Sequence, residues 1–284
     1  LGFAAAAVSF GWLTGGMRPF LVVPAALGVL LVNAAISSLI PVPGASRRPL
    51  SMRISRVLRR PEVFLLLASG FLMQASHGAY IGFFSLVLEE VGYTSRVVGL
   101  AWAWAIAAEV VMLLSIGRLI NNLGTRHLLA LSVSVAAVRW ATYAVTLHPA
   151  AIIVGQALHA FTYAGFHVAA VQTVYRLFPP GTRATGQALY SGWTFGAGMM
   201  AGTAASGLIK DYFGPAGMFW AACALALGAL ALIGLGAGQP GAGDRRGVPI
   251  EPAGPATAGS ETLRGPALSS SSHPWEGGER GRRE

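Results

Sequence analysis

The 284 residues are 54% apolar and only 11% charged, against about 25% charged in soluble domains. A soluble fold is therefore excluded, because it would leave too much apolar surface in water. The formal net charge of +9 does not mark a nucleic-acid binder: its excess lies in arginines clustered between two apolar blocks, where positive membrane loops are found.

In chain order, Leu1–Met17 is apolar from its first residue and is read as a partial or whole membrane span whose upstream sequence is missing. A break at Arg18-Pro19 separates it from a second span, about Phe20–Ile40. Residues 1–40 are thus expected to be the last two helices of a preceding half. The segment 41–61 carries Arg47, Arg48, Arg53, Arg56, Arg59 and Arg60 among prolines and a glycine, and reads as a basic cytoplasmic connector.

Six further apolar blocks follow, at about Glu62–Leu88, Val97–Gly117, Leu128–Leu147, Ala151–Tyr175, Ala184–Ile209 and Pro215–Gly236. Each is close to the ~20 residues that span a hydrocarbon core. Helix is the only fit, since an isolated strand leaves its backbone unpaired in lipid and the blocks are too long for barrel strands. The expectation is an all-α polytopic bundle of about 8 transmembrane helices, with 62–236 as a six-helix unit. Residues 237–284 hold six Arg and six acids among Gly, Pro, Ser and Ala. They are expected to be a disordered tail.

Lysines and arginines in the connections from residue 41 onward divide ten to two between alternate sides. That places the connector and the tail in the cytoplasm of a bacterial inner-membrane-type protein. The single cysteine, Cys223, sits in an apolar run and is read as a packing residue. The sequence contains no phosphate-binding loop, nucleophile elbow or metal-spaced Cys/His set, so no cofactor and no metal are expected.

Rare polar residues stand out in such helices. At 1.5 Å per residue, Glu109 and Arg139 lie about 13 Å and about 17 Å from the cytoplasmic ends of consecutive helices. Each costs roughly 2.5–3.5 kcal/mol at the bilayer centre, so each should face protein or water and have a partner. The depths allow the two to pair. The next helix carries Gln156, His159, Thr162, Tyr163 and His167, with Gln156, His159, Tyr163 and His167 on one face. His159 falls about 14 Å from the periplasmic end, and His167 reads as an ordinary core histidine. A third stripe, Gln74, His77 and Tyr80, could line a cavity or bond a neighbouring helix. Trp102, Trp104, Trp140, Tyr143, Tyr190 and Trp193 could wall a cavity or simply pack. Gly192-x-x-x-Gly196 and Gly198-x-x-x-Gly202 let helices approach closely.

From about Pro61 to Leu235 the chain resembles the C-terminal half of the major facilitator superfamily, and is most similar to its phenylpropionate-permease-like and lactose-permease-like branch. Gly117-Arg118-Leu119-Ile120-Asn121-Asn122-Leu123-Gly124-Thr125-Arg126 resembles the family's cytoplasmic gating-loop signature, with Asn121 and Asn122 replacing its acidic and basic members. Ala107-Ala108-Glu109-Val110, Ala137-Val138-Arg139-Trp140 and Gln156-Ala157-Leu158-His159 match positions that hold a substrate-site Glu, a coupling Arg and a substrate-site His. Thr162 stands where the sugar permease keeps a proton-carrying Glu.

The resemblance implies proton-coupled symport of a small organic solute by alternating access, together with a missing N-terminal half of the same transporter. Glu109, Arg139 and His159 would serve coupling. Gln74, His77, Tyr80, Gln156, Thr162 and Tyr163 would serve solute binding, and Gly117, Arg118, Gly124 and Arg126 the gate. Two other readings fit the residues. One is a non-transporting structural or receptor-like remnant. The other is a membrane-embedded enzyme, which would need its catalytic cluster near an interface rather than at mid-depth.

Overall fold

The computed structural model describes residues 22–39 and 52–236. The expected span at Leu1–Met17, the connector before residue 52 and the tail from Ala237 lie outside the described residues. The helices are α1 (Val22–Leu39), α2 (Met52–Leu58), α3 (Pro61–Glu90), α4 (Ser95–Val145), α5 (Pro149–Ala160), α6 (Phe166–Leu177), α7 (Arg183–Ser191) and α8 (Met199–Leu235). Phe161–Gly165 is a π turn that runs α5 into α6, and Gly192–Gly198 is another that runs α7 into α8. No strand occurs among the described residues.

All six apolar blocks between residues 62 and 236 are helical, and short joints separate them. α3 starts on Pro61, whose missing N–H is harmless in a first turn, with Glu62 beside the positive helix end. At α5 the ring of His148 accepts from Ala150 N–H at 3.3 Å, and Pro149 again takes the first position. α4 and α8 are each two helices joined by one non-helical residue, Gly124 (φ 75°, ψ 156°) and Gly214 (φ 71°, ψ 179°). A side chain at such positive φ would meet its own carbonyl, so both corners require glycine.

The corner at Gly124 corrects one expectation. The segment Gly117–Arg126 is not a loop: helix continues through residue 123 and resumes at 125, with Gly124 itself buried. The polar Asn121 and Asn122 lengthen the helix past the apolar block rather than ending it. Likewise Lys210 and Asp211 are helical, and the joint comes later, at Gly214.

α3 packs along 183–235 through a glycine crossing. A Cβ on Gly202 would overlap the Ala75 carbonyl, and one on Gly78 would overlap the Gly202–Thr203 backbone. Thr203 Oγ1 donates to the Gly78 carbonyl across the contact at 3.4 Å. Of the two small-residue motifs, Gly198 and Gly202 form this seam, whereas Gly192 and Gly196 face open space. Lys210 Nζ closes the same pair of helices at one end on Glu90 Oε1, at 2.7 Å.

Outward faces are apolar: Leu114 is 82% exposed and Leu100 64%. The fully buried side chains, by contrast, include Arg139 and His77. An apolar outer face, with the few polar side chains turned into a mostly apolar interior, is the arrangement that lipid selects. Pro61–Glu90, Ser95–Val145 and Arg183–Leu235 are long and apolar enough to cross a membrane.

A candidate polar site around Arg139

Arg139 lies on the second arm of α4 and is completely buried. α5 and the turn after it supply its hydrogen-bond partners. Nη2 donates to Gln156 Oε1 at 2.8 Å, and Nη1 approaches Thr162 Oγ1 at 3.4 Å and His159 Nδ1 at 3.3 Å. α3 supplies an aromatic face, with the guanidinium carbon 4.1 Å from the centre of the Tyr80 ring; Trp140 lies at 4.7 Å. The Tyr80 hydroxyl donates to the same Gln156 Oε1 at 2.8 Å.

The bonds fix which atoms point where. A guanidinium only donates, so His159 Nδ1 must accept and the ring proton of neutral His159 sits on Nε2. That nitrogen lies 3.9 Å from Glu109 Oε2 on the first arm of α4, beyond hydrogen-bond length but within ion-pair reach. The Gln156 oxygen must face Arg139 for the same reason, and its Nε2 is left without a partner.

His77 Nδ1 donates to the Met73 carbonyl at 2.9 Å, and its Nε2 lies 3.4 Å from Thr162 Oγ1. Tyr163 stacks on His159, with ring centres 5.2 Å apart and planes 24° apart. Tyr163 in turn meets Phe195 of the second π turn at 5.9 Å.

The structure thus gathers His77, Tyr80, Arg139, Gln156, His159, Thr162 and Tyr163, with Glu109 at the edge. Gln74 is buried one turn away, its Oε1 unpartnered. Glu109 and Arg139 do not pair: His159 stands between them, and among the described residues no carboxylate pairs with Arg139. Compatible depth was insufficient to bring the two together, since Glu109 faces His159 instead. Gly117, Arg118, Gly124 and Arg126 lie on the stretch of α4 that runs up to and just past its corner at Gly124. His167, set aside as a core residue, lies against Phe195 at 5.3 Å and leaves Nδ1 unpartnered.

Ser76 is a member the sequence did not single out. Its hydroxyl donates to the Met73 carbonyl at 2.7 Å and accepts the Trp140 indole N–H at 3.2 Å. A helical serine that bonds its own backbone gives no sequence signal, so only the neighbouring Trp140 could have hinted at it.

Two cavities adjoin the group. One, about 300 Å3, touches Arg139, Thr142 and Gly155. The other, about 440 Å3, runs between the first arm of α4 and α5, from Tyr93 and Pro149 to Gln156.

Arg139 is thus a buried cation bedded on neutral acceptors, with Glu109 one imidazole away. Residues 1–221 match the MFS_1 like family, and the chain belongs to that family of membrane transporters. It is 31% identical over 210 residues to the probable 3-phenylpropionic acid transporter of Escherichia coli (strain K12), covering 72% of this chain and 55% of that one. It is 28% identical over 253 residues to the maltose permease of Geobacillus stearothermophilus, covering 87% of this chain and 63% of that one. The chain therefore spans less than two thirds of the length of these curated relatives. Family and relatives are transporters, not enzymes.

Proposed function

We propose that the chain forms the second half, with two helices of the first, of a transporter that moves a small organic solute together with protons. The observation that carries this reading is Arg139: fully buried, hydrogen-bonded only to neutral groups, with Glu109 held 3.9 Å from the far side of its His159 partner. An unpaired guanidinium in a low-dielectric interior costs several kcal/mol, so a chain that keeps one gains something other than stability. A solute carboxylate would neutralise it. Of the two relatives, the one that transports an acid by name supports an organic acid such as 3-phenylpropionate more than a sugar.

In this reading the solute sits between the halves, and alternating access exposes it to each side in turn. Residues 1–40 would complete the N-terminal half with helices from upstream, 41–61 would be the cytoplasmic connector and 62–236 the C-terminal bundle. The tail would be cytoplasmic in an inner membrane. Glu109 carries the proton, and His159 links it to Arg139. Gln74, His77, Tyr80, Gln156, Thr162 and Tyr163 shape the solute site. Gly117, Arg118, Gly124 and Arg126 would act at the cytoplasmic gate, with Gly124 as its corner.

The test is Glu109→Gln in the full-length transporter. Accumulation driven by a pH gradient should vanish while exchange of solute across the membrane survives. Accumulation at the parent level would refute Glu109 as carrier.

A further inference from the structure

Arg56, Arg59 and Arg60 stand immediately before α3, one of the helices long and apolar enough to cross a membrane. All three are exposed, and among the described residues none has a carboxylate within ion-pair distance. At the end of the bundle where α3 begins, Glu62 is the only acid among the described residues. Glu89, Glu90 and Asp211 lie towards the other end, and Glu109 lies within α4.

These arginines are held in place by the fold. Val57 is 4% exposed and belongs to the core, and Leu58 packs partly buried against it. α2 therefore rests on the bundle by one side and turns Ser55 and Arg56 outward. Backbone bonds carry the seat into α3. Arg59 and Arg60 N–H donate to the Ser55 and Val57 carbonyls at 3.3 and 3.0 Å, and the Arg60 carbonyl accepts from Val63 and Phe64 at 3.1 and 3.2 Å. Phe64 sets the height: it is 65% exposed and only about 6 Å along the axis from Arg60. Exposed apolar surface thus starts about one turn from three fixed, unpaired cations.

Resting on the transporter reading above, which puts this end of the bundle at the cytoplasmic surface, we propose that α2 and the joint after it seat anionic phospholipid headgroups. Guanidinium forks match phosphate oxygens in pairs. Phe64 gives an acyl chain an apolar contact that a free phosphate cannot use, so the seat takes a lipid rather than a soluble anion. Each arginine beside a span is worth about a fivefold preference for anionic lipid. The start of α3, the helix that carries Gln74, His77 and Tyr80, is then held by lipid as well as by protein.

The experiment titrates the purified full-length protein in detergent with phosphatidylglycerol or phosphatidylcholine and counts retained lipids by native mass spectrometry. Phosphatidylglycerol should be retained at least tenfold better. Replacing all three arginines, Arg56→Gln, Arg59→Gln and Arg60→Gln, should remove most of that preference. Val57→Ser, which keeps every charge but loosens the seat, should also reduce it. Arg183→Gln, at the same end but stacked on Tyr175 at 5.4 Å, should leave it unchanged. If the triple variant does not fold, Arg56→Gln and Arg59→Gln singly should each cost about fivefold. Equal retention of the two lipids, a preference that survives the arginine variants or Val57→Ser, an equal loss in Arg183→Gln, or displacement by inorganic phosphate would overturn the proposal. The readout needs neither transport nor sidedness. A lipid preference without pH-driven accumulation would refute symport alone, and accumulation without the preference would refute the seat alone.

Discussion

Replacing Arg139 with methionine tests whether the guanidinium is kept for transport or for packing. Its strongest contact is the 2.8 Å bond to Gln156, worth about 1.5–3 kcal/mol as a charged hydrogen bond. Stacking on Tyr80 and Trp140, at 4.1 and 4.7 Å, adds about 0.5–2 kcal/mol for each ring. Against these stands a desolvation penalty of several kcal/mol for an ion with no opposite charge beside it, so the sum lies near zero. Methionine fills similar volume and leaves few groups stranded: Gln156 Oε1 keeps the Tyr80 hydroxyl, and Thr162 keeps its bond to the His159 carbonyl at 3.2 Å. Thermal unfolding in detergent, followed by tryptophan fluorescence, should therefore place the variant's midpoint within about 5 °C of the parent. Uptake of an organic acid by the full-length protein should fall about a hundredfold, the equivalent of losing roughly 2.7 kcal/mol of charge-assisted binding. A midpoint lowered by more than about 10 °C would show that the guanidinium holds the bundle together. Parent-level uptake would refute its role in transport.

Gly202→Val should prevent α3 and α8 from closing, since its Cβ would overlap the Ala75 carbonyl, whereas Gly196→Ala, set in open space, should express and unfold like the parent. Gly124→Ala places a Cβ at φ 75° and should lower stability by about 1–2 kcal/mol, read as an earlier melting midpoint; an unchanged midpoint would argue against the corner. His159→Gln keeps an acceptor for Arg139 but cannot carry a proton, so solute binding should hold within about threefold while pH-driven accumulation is lost; retained accumulation would leave Glu109 without its relay. Single thiols at Leu123 and Thr94 should label from opposite sides of the membrane, and labelling from one side would remove the topology. Thr125 is unsuitable for this scan because it is 1% exposed.

The polar residues were legible because an apolar helix leaves them nowhere to hide. Gln156, His159 and Tyr163 sit together as their spacing implied, and Tyr80 reaches Gln156 and His159 from another helix. The pairing was not legible, because residue count fixes depth in the membrane but not the direction in which a side chain leaves its helix. His159 therefore intercepts the partnership that depth alone offered to Glu109 and Arg139. The polar run from Gly117 to Arg126 looked like a loop because composition marks where lipid ends. Helix, however, continues into water as readily as it stops there, until a residue such as Gly124 turns it. The π turns left no trace in composition, since Phe161–Gly165 reads like any other apolar stretch.

Those wide turns make the helix from Pro149 to Leu177 a rod with a phase slip. A π turn holds one residue more than an α turn requires. In a uniform helix at 100° per residue, the eight steps from His159 to His167 overshoot two full turns by about 80°. Absorbing one residue brings them to within about 20° of alignment, so the slip sets His167 almost directly below His159. Deleting one residue there, Ala164 for example, would leave an unbroken helix of ordinary pitch. Everything beyond the deletion would swing about 100° around the axis, carrying His167 off Phe195 while leaving Gln156 and His159 in place. A single-residue deletion is thus a rotation of half a helix against the other half, and a way to uncouple the two ends of the bundle without changing the chemistry of either.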